Sequence, residues 1–409
     1  MKTVWIIDHH AMPLELGFMV RQYQFGRHLA RRGYDVTVFA SSAIHNTGVN
    51  VISDSRPMLV EIYDNVPFAF VRTRDYSGNG KDRIIGMFEY ALRLFVVTKK
   101  SHFQKPEVIY ASSPHPLAWL VGYMIARRYK AKFVAETRDL WPETFVAMGR
   151  MRRSSVPARL LYRLERFIYE KADKLVFTMP GGIDYAKRLG IDTSKVAYIN
   201  NGVDIAEFEQ SKENYIFRDA DLENPDTFKV VYAGSMGQAN ALQYVLEAAE
   251  ITQSRGIDKI KFLLFGDGYQ LGELRDYAES KGLTNIVFKG RIEKKYIPSI
   301  LSKADLNVFT GGHIPSIHKY GLSLNKMFEY FASGKPTISN IECSYDILEK
   351  YDCGMTVRGG SAEALADGIL DFYYMPTDSY DHFCRNALFA AKEFDFCVLV
   401  DKLEQVLLE

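Results

Sequence analysis

Residues Phe228–Gly237 read FKVVYAGSMG, a short apolar run that ends in a loop with two glycines. The arrangement returns at Lys261–Gln270, KFLLFGDGYQ, where a second apolar run ends in a glycine loop before a helical stretch. Runs of this kind, alternating with helices, predict a parallel sheet that is covered on both faces. The remaining strands of this half are predicted at Ile286–Lys289, Leu306–Phe309 and Pro336–Ser339.

The first half of the chain repeats the alternation with its own strands. Thr3–Ile7 (TVWII) is predicted as the first strand, followed by a loop and a helix that ends at Gly33. Later strands are predicted at Val36–Phe39, Phe68–Val71, Val108–Ala111, Lys132–Ala135, Lys174–Thr178 and Lys195–Ile199. The predicted fold class is therefore α/β, with two doubly wound Rossmann-like domains that face each other across a cleft.

The boundary between the two domains is predicted near residue 205. Residues 199–204 (INNGVD) form a turn cluster, and residues 210–227 are polar and acidic without apolar periodicity, which predicts a linker or surface loop. We expect a first domain over 1–205 and a second over 206–390. The amphipathic helix Phe396–Leu408, within 391–409, is expected to pack back on the first domain.

Charge is divided unevenly between the halves of this 409-residue chain, although the net charge is only +1. Residues 1–200 contain 30 basic and 18 acidic residues, and the rest contain 21 basic and 32 acidic residues. This asymmetry favours an anionic partner for the first half, such as a membrane surface or a phosphate-bearing acceptor.

Two basic stretches in the first half interleave arginine and lysine with large apolar residues. Residues 80–105 (GKDRIIGMFEYALRLFVVTKKSHFQK) and 149–174 (GRMRRSSVPARLLYRLERFIYEKADK) suit amphipathic helices that rest on an anionic membrane. The alternative for each is a solvated helix face. Nucleic acid is not an expected partner, because no aromatic-basic module of a known kind is present.

The compartment expected for the protein is the cytoplasm, at the inner face of the plasma membrane. The first strand begins at Thr3, so no signal peptide is expected. No apolar run approaches the roughly 18 residues of a membrane span. The four cysteines form no C-x-x-C pair and are expected to be reduced thiols.

The loop after the first strand does not carry a dinucleotide fingerprint. It begins DHHAMPLELG and contains no G-x-G-x-x-G pattern, which disfavours an oxidoreductase. Gly17, before the first helix, would let a ligand approach the backbone and the helix N–H groups. The alternative for Gly17 is a flexible loop position.

Two glycine loops and one helix supply the candidate nucleotide site of the second half. Gly234, Ser235 and Gly266 follow strands, where backbone N–H groups meet phosphates. Within residues 320–340 (YGLSLNKMFEYFASGKPTISN), Ser323 is the predicted N-cap of a helix. The alternative for this segment is an ordinary exposed helix face.

The first turns of that helix carry three polar side chains. Lys326 could neutralise phosphate charge together with the helix dipole, and Glu329 could accept hydrogen bonds from two ribose hydroxyls. Asn325 is a further candidate for contact with the donor.

These motifs resemble glycosyltransferase family 4, a family of retaining transferases with the two-domain GT-B fold. The resemblance rests on EYFASGKP (329–336), FGDG (265–268), KGRI (289–292) and NNGVD (200–204). The stretch ETRDLWPETFVAMG (136–149) is similar to a branch that makes surface polysaccharides and resembles transferases of N-acetyl-fucosamine.

The resemblance implies roles for individual residues. Glu329 would bind the donor ribose, Ile292 after Arg291 would meet the nucleobase through its backbone, and Gly17 would approach the donor diphosphate. Arg138 and Asp139 would lie near the sugar and acceptor, and together with Lys326 they are the candidate catalytic residues.

The chain departs from the family pattern at two places. Gly321 stands where the family has a second glutamate, eight positions before Glu329, so the contact to the sugar hydroxyls falls to Asn325 or to backbone N–H groups near Ser323. The loop GSMGQANAL also lacks the usual arginine and lysine. Lys326 is the first candidate to offset the diphosphate charge, followed by Arg291 and Lys319.

The expected reaction is transfer of a sugar from a UDP-sugar to a lipid-linked saccharide, with retention of configuration. Stabilisation of the leaving diphosphate is the chemistry required. The family performs it without a bound metal, so neither a metal nor a cofactor is expected. The alternatives are a UDP-sugar 2-epimerase and a non-catalytic nucleotide-sugar-binding scaffold.

Overall fold

The computed structural model describes residues 2–17, 19–45, 47–76, 80–99 and 103–409, and the chain divides into two compact units. Unit 1 comprises Met1–Asn200 and Phe396–Glu409, and unit 2 comprises Asn201–Asp395. Unit 2 thus begins at Asn201 and not at residue 206. The reason is that Val203 is buried in the core of unit 2 and its N–H donates to the carbonyl of Phe394 at 3.1 Å.

Unit 1 alternates strands and helices along most of its length. Its elements are β1 (Thr3–Ile7), α1 (Arg21–Arg31), β2 (Asp35–Ser41), β3 (Met58–Tyr63), β4 (Val66–Val71), α2 (Lys81–Val97), β5 (Val108–Ser112), α3 (Pro116–Tyr129), β6 (Lys132–Thr137), α4 (Glu143–Ala147), α5 (Val156–Lys171), β7 (Lys174–Phe177), α6 (Gly182–Arg188) and β8 (Val196–Tyr198).

The sheet of unit 1 has the order β3-β4-β2-β1-β5-β6-β7-β8 in the described residues. Its strands are parallel except β3, which pairs antiparallel with β4 and was not predicted. The hairpin turn between them is formed by Asp64 and Asn65, both with positive φ (45° and 66°), a conformation that suits a two-residue hairpin. Strands were predicted from runs of buried apolar residues, and β3 does not form such a run because its side chains are partly or fully exposed.

Unit 2 begins with α7 (Ile205–Asn214) and α8 (Ala220–Glu223), so the prediction of a linker or surface loop over residues 210–227 was wrong for 210–214 and 220–223. Asp204 and Asp219 cap the two helices through their carboxylates. Each helix also places an apolar side chain, Phe208 or Leu222, in the core. The two helices were not predicted because the polar residues around Phe208 and Leu222 leave no apolar periodicity in the sequence.

The other elements of unit 2 again alternate. They are β9 (Phe228–Ala233), α9 (Gln243–Ser254), β10 (Ile260–Phe265), α10 (Leu271–Ser280), β11 (Ile286–Gly290), α11 (Ile297–Ser302), β12 (Leu306–Phe309), α12 (Pro315–His318), α13 (Asn325–Ala332), β13 (Thr337–Ser339), α14 (Ile347–Tyr351), β14 (Gly354–Thr356), α15 (Ala362–Tyr373) and α16 (Thr377–Glu393).

The sheet of unit 2 has the order β11-β10-β9-β12-β13-β14, and every recorded pairing in it is parallel. The order reverses direction at β9, which places a topological switch point between β9 and β12. Two helical layers cover the sheet, since buried residues from its two faces form separate apolar clusters.

The last helix, α17 (Phe396–Leu408), is part of unit 1 although it follows unit 2 in sequence. Phe396, Leu399 and Leu403 are buried in the same apolar cluster as Phe25 and Leu29 of α1. None of the helices in the described part of the chain is long and apolar enough to cross a membrane.

Candidate functional site

Three loops meet at the carboxyl edge of the sheet of unit 2, directly after β9, β10 and β11. Their backbones touch: a Cβ on Gly266 would lie 1.8 Å from the carbonyl oxygen of Gly234, and the φ of Gly266 is +141°. The Gly266 N–H donates to the carbonyl of Gly290 at 2.7 Å. Glycine is therefore required at position 266 to let the loops close together, and this forms a compact platform at the strand ends.

Lys326, in the first turn of α13, reaches the first of these loops. Its ammonium donates to Asn240 Oδ1 at 2.7 Å and to Tyr232 Oη at 2.9 Å, and it lies 4.4 Å from the centre of the Tyr232 ring. A Cβ on Gly234 would lie 3.0 Å from this ammonium. Because glycine has no side chain, the Lys326 ammonium can occupy this position without a close contact. In the described residues no carboxylate pairs with Lys326.

Burial lowers the pKa of Lys326 to about 7. The physical cause is the loss of hydration of a buried ammonium, which the neutral oxygens of Asn240 and Tyr232 do not fully replace. A cation in this state gains from an anionic ligand, because the ligand would supply the missing counter-charge.

Glu329 lies three residues after Lys326, on the same side of α13. Its carboxylate is 25% exposed and its Oε1 lies 3.0 Å from the ammonium of Lys294. Lys294 follows Ile292 by two residues, so the structure brings Glu329 to the segment after β11. Ile292 is partly buried against the apolar core, and Arg291 is exposed.

The start of α13 differs from its prediction. The N-cap position is Leu324 and no described side chain caps it, so the prediction that Ser323 is the N-cap was wrong. Ser323 instead accepts hydrogen bonds from Asn201, at 2.8 Å to its carbonyl and 3.4 Å to its Oγ. Ser323 therefore precedes the N-cap position by one residue, and its hydrogen bonds join it to Asn201.

Other predicted donor residues have simpler positions. Asn325 and Ser235 are exposed, and Asn240 donates to both oxygens of Ser235. Lys319 is exposed, with its ammonium 5.1 Å from the centre of the Tyr320 ring. Gly321 adopts a φ of +87°, which suits a turn that a glutamate would strain.

The carboxyl edge of the sheet of unit 1 carries a second group of polar residues. Arg138, after β6, lies 3.5 Å from the carboxylate of Asp8, after β1, and its backbone N–H donates to Ser113 Oγ at 2.8 Å. Burial raises the pKa of Asp8 to about 6, although the charge of Arg138 and a hydrogen bond from the His10 N–H oppose the rise.

Two further predicted residues of unit 1 are Gly17 and Asp139. Gly17 lies before the first helix as predicted, four positions ahead of Arg21, the first residue of α1. A Cβ there would meet only the flexible side chain of Met12, 2.4 Å away. Burial of the carboxyl group raises the pKa of Asp139, and the charge of the neighbouring Arg138 opposes the rise. The backbone carbonyl of Asp139 accepts from Trp141 N–H at 2.8 Å in a turn.

Glu136, at the end of β6, organises this edge. Its carboxylate accepts from Arg21 Nε at 2.8 Å and from Tyr110, Ser112 and Gln22 at 2.6 Å each. Burial alone would raise the pKa of Glu136, but the Arg21 guanidinium and these hydrogen bonds outweigh it and hold the pKa below its usual range. Glu136 is thus a fixed negative charge in the interior.

Four histidines stack beside Asp8. The ring of His9 lies 4.6 Å from His10 and 4.7 Å from His115, and His10 lies 4.7 Å from His45. Burial is the main cause that lowers the pKa of all four, to about 3 for His115 and about 4 for His45. The imidazoles are therefore neutral near pH 7.

Sequence reasoning did not assign a role to this cluster, to Glu136 or to Asn240. Their position in the sequence was the available signal. His9 and His10 come two and three residues after the end of β1, and His115 comes three residues after the end of β5, at the edge where parallel strands end. Both nitrogens of His10 lack a hydrogen-bond partner among the described residues. Such buried, unsatisfied atoms are costly and commonly mark a site.

Two family models match the chain. Residues 20–207 match the model described as Glycosyltransferase Family 4, and residues 227–374 match the model described as Glycosyl transferases group 1. Together the two matches cover well over half of the chain.

Curated relatives agree in class. The chain is 23% identical over 265 residues to the probable glycosyltransferase WbjE of Pseudomonas aeruginosa, which covers 63% of each chain. It is 22% identical over 232 residues to the putative colanic acid biosynthesis glycosyl transferase WcaI of Escherichia coli, covering 55% of this chain and 56% of WcaI. The chain thus spans less than two thirds of the length of these relatives.

Solved structures share the fold over nearly full length. Sucrose-phosphate synthase from Thermosynechococcus elongatus matches with a TM-score of 0.71 and 17% identity, covering 99% of this chain and 98% of the other. Anabaena HepE in complex with UDP-glucose gives 0.69 and 16%, and WaaG, a glycosyltransferase involved in lipopolysaccharide biosynthesis, gives 0.67 and 15%. Each of these two covers 99% of both chains.

The chain therefore has two α/β domains built on parallel sheets, the fold of its GT-B glycosyltransferase neighbours, and the predicted α/β class with two such domains is confirmed. The region that matches Glycosyltransferase Family 4 lies in unit 1 except for its last seven residues, and the region that matches Glycosyl transferases group 1 lies within unit 2.

The histidine cluster predicts a pH dependence of stability. Burial keeps His10 neutral in the folded protein, with smaller contributions from His45, Arg83, His115 and Arg138, whereas the unfolded chain protonates it below about pH 6.5. Stability is therefore lost as pH falls. His10→Phe should make the loss shallower by about 1.4 kcal/mol per pH unit below pH 6.5, measured by urea unfolding.

Tyr90→Phe is the matched control for this measurement. It removes a buried hydroxyl that donates to the Phe39 carbonyl at 2.7 Å, beside the same cluster. Burial raises the pKa of Tyr90 well above its ordinary value, so this change should shift the unfolding free energy by the same amount at every pH below 8. Parallel curves for His10→Phe and the wild type would contradict the prediction.

Proposed function

We propose that the protein transfers a sugar from a UDP-sugar to a lipid-linked saccharide in the synthesis of a surface polysaccharide, with retention of configuration. The observation that carries the proposal is the placement of Lys326, a cation that no described carboxylate neutralises, against the glycine loops of unit 2 and one turn from Glu329. Such an arrangement suits a nucleoside diphosphate: the cation meets the diphosphate and the carboxylate meets the ribose.

The reaction requires stabilisation of the charge that develops on the leaving UDP. The bond between the anomeric carbon and the diphosphate oxygen breaks, and the acceptor hydroxyl oxygen bonds to that carbon on the same face. The hydroxyl proton passes to the departing phosphate. The Lys326 ammonium would hold the developing negative charge, with no metal or cofactor, and this kind of preorganised electrostatics dominates such catalysis.

Similar proteins support the choice of donor and pathway. One is described in complex with UDP-glucose, another as involved in lipopolysaccharide biosynthesis, and a third with colanic acid biosynthesis. The resemblance of residues 136–149 to transferases of N-acetyl-fucosamine favours an N-acetylated amino or deoxyamino sugar for this chain. Within that segment, Arg138 and Asp139 are our candidates for contact with the reacting groups.

We also propose that unit 1 rests on an anionic membrane at the inner face of the plasma membrane. The helix α2 presents an apolar stripe whose members are between 41% and 69% exposed, namely Ile84, Ile85, Phe88, Leu92 and Val96.

The helix α5 adds exposed Val156 and Leu160 near exposed Arg159 and Arg163. Residues 100–102 of the first basic stretch lie outside the described residues. Arg83 is half-buried and close to the histidines, so it does not contribute to the stripe.

The donor site is tested by asking whether Glu329 binds ribose hydroxyls. The wild type should bind UDP about 10–100-fold more tightly than 2′,3′-dideoxy-UDP, because two hydrogen bonds to a charged group are lost. Glu329→Ala should bind both nucleotides equally weakly in calorimetric titrations. Glu349→Ala, at an exposed position on α14, is the control and should preserve the preference. A preference that survives in Glu329→Ala would remove Glu329 from the site.

The charge on Lys326 is tested by pH. Because its pKa is about 7, a growing fraction of the free protein lacks the ammonium above that pH, and UDP binding should weaken towards the limit of about tenfold per pH unit for one linked proton. Lys326→Arg keeps a permanent charge, so it should bind UDP with an affinity that does not change between about pH 7 and pH 9. Equal pH dependence in both proteins would assign the diphosphate to another cation.

Membrane binding is tested by flotation with vesicles that contain phosphatidylglycerol. Leu92→Glu should lower vesicle binding about tenfold, because it removes a large side chain from the buried area and adds a negative charge. Ile183→Glu, an exposed apolar position on α6, is the control and should float like the wild type. High salt should release the wild type in part. Equal binding by both variants would contradict the role of α2.

A further inference from the structure

Unit 1 contains an open cavity of about 690 Å³ that the donor and membrane proposals leave unused. Its walls are the loop after β2, the segment directly after β4 and one side of α2. The lining residues used below are Asn50, Arg72, Thr73, Arg74, Glu89 and Arg93. The carboxyl ends of parallel strands, where this cavity lies, are where α/β sheets bind ligands.

The acidic groups of the cavity are already engaged. Glu89 accepts from Arg74 Nη2 at 3.1 Å, and Asp82 outside the cavity accepts from Arg74 Nη1 at 3.0 Å. Asp75 accepts from the Asn50 amide at 2.7 Å, and the same amide donates to the Thr73 carbonyl at 2.9 Å. These contacts build a fixed frame of Arg74, Asn50 and Thr73 around the opening.

Two further arginines, Arg72 and Arg93, line the cavity, and the charge of Arg72 contributes to the lowered pKa of Asp54. Arg93 donates to the backbone carbonyl of Arg72 at 2.7 Å, and in the part of the chain that the structure describes neither residue pairs with a carboxylate. Both side chains are only partly exposed. The planar guanidinium forks of Arg72 and Arg93 suit phosphate oxygens, which can accept two parallel N–H bonds from one arginine.

The cavity also adjoins the apolar stripe of α2. Glu89 and Arg93, which line the cavity, directly follow Phe88 and Leu92 of the stripe in sequence, so they lie about one hundred degrees further round the helix. A molecule with an apolar chain and a charged end could therefore place its chain along the stripe and its charged end in the cavity.

We propose that this cavity binds the diphosphate of the lipid-linked acceptor through Arg72 and Arg93. The inference rests on the proposed function, since it identifies the acceptor as an apolar chain joined to a saccharide through a diphosphate. It assigns the recognition of that diphosphate to a site separate from the nucleotide site of unit 2. Phospholipid headgroups share the phosphate chemistry, so the test must separate the two sources.

The experiment measures binding of the full chain to phosphatidylcholine vesicles that carry one of three additives. The additives are a polyprenyl diphosphate, the matching polyprenyl alcohol, and phosphatidylglycerol at equal surface charge. The wild type should bind the diphosphate vesicles about tenfold more tightly than the phosphatidylglycerol vesicles, and inorganic pyrophosphate should compete. Arg72→Gln should bind the diphosphate vesicles no more tightly than the phosphatidylglycerol vesicles.

Two further variants separate recognition from folding and from general charge. Arg93→Lys keeps a cation and should retain part of the preference, with thermal unfolding as the check on its fold. The double variant Arg159→Gln/Arg163→Gln removes two exposed charges from α5. It should weaken binding to both charged vesicles by the same factor and so leave the preference unchanged.

Three results would overturn the proposal: no preference in the wild type, an unchanged preference in Arg72→Gln, or a loss of the preference in Arg159→Gln/Arg163→Gln as large as the loss expected for Arg72→Gln. UDP binding by each variant distinguishes this failure from failure of the proposed function. If only the cavity is wrongly assigned, the preference for UDP over 2′,3′-dideoxy-UDP persists and still depends on Glu329.

Discussion

A buried ion pair between Arg21 and Glu136 fixes the carboxyl edge of unit 1. Arg21 also donates to the backbone carbonyls of Ile199 and Asn200, so one guanidinium joins the start of α1 to β6 and to the segment after β8. Losing one member of a buried pair typically costs about 3–5 kcal/mol, because the other charge stays in the interior without its partner. The loops that carry Asp8, the histidines and Arg138 all leave this edge and depend on its geometry.

The two units use the same edge of their sheets in different physical ways. Unit 1 places charged and titratable side chains there and keeps four imidazoles neutral by burial. Unit 2 places glycines there and brings its cation from a distant helix, since Lys326 follows Gly234 by more than ninety residues. The arrangement in unit 1 suits ligand groups that exchange hydrogen bonds with titratable side chains, such as hydroxyls. The arrangement in unit 2 suits a flexible ligand with several charges, because the glycines let its phosphates come close to the backbone.

The sequence predicted the strands that are buried on both faces, because their apolar runs are continuous. Thr3–Ile7 and Leu306–Phe309 match their predictions residue for residue. The edge strands β3 and β14 were missed, since one is half-exposed and the other has only three residues. In the candidate site, local spacing brought Lys326 and Glu329 together. It could not show the contact of Lys326 with Asn240, which depends on how distant loops fold.

The position of α17 has a consequence for synthesis of the protein. This helix completes the apolar core of unit 1, yet it is translated only after the 195 residues of unit 2. At about 5–20 residues per second, the ribosome needs roughly 10–40 s to make that insertion. During this interval α1 exposes the apolar surface that Phe396 and Leu403 later cover. Nascent unit 1 is therefore a natural substrate for chaperones, whereas unit 2 can close its core as soon as it emerges.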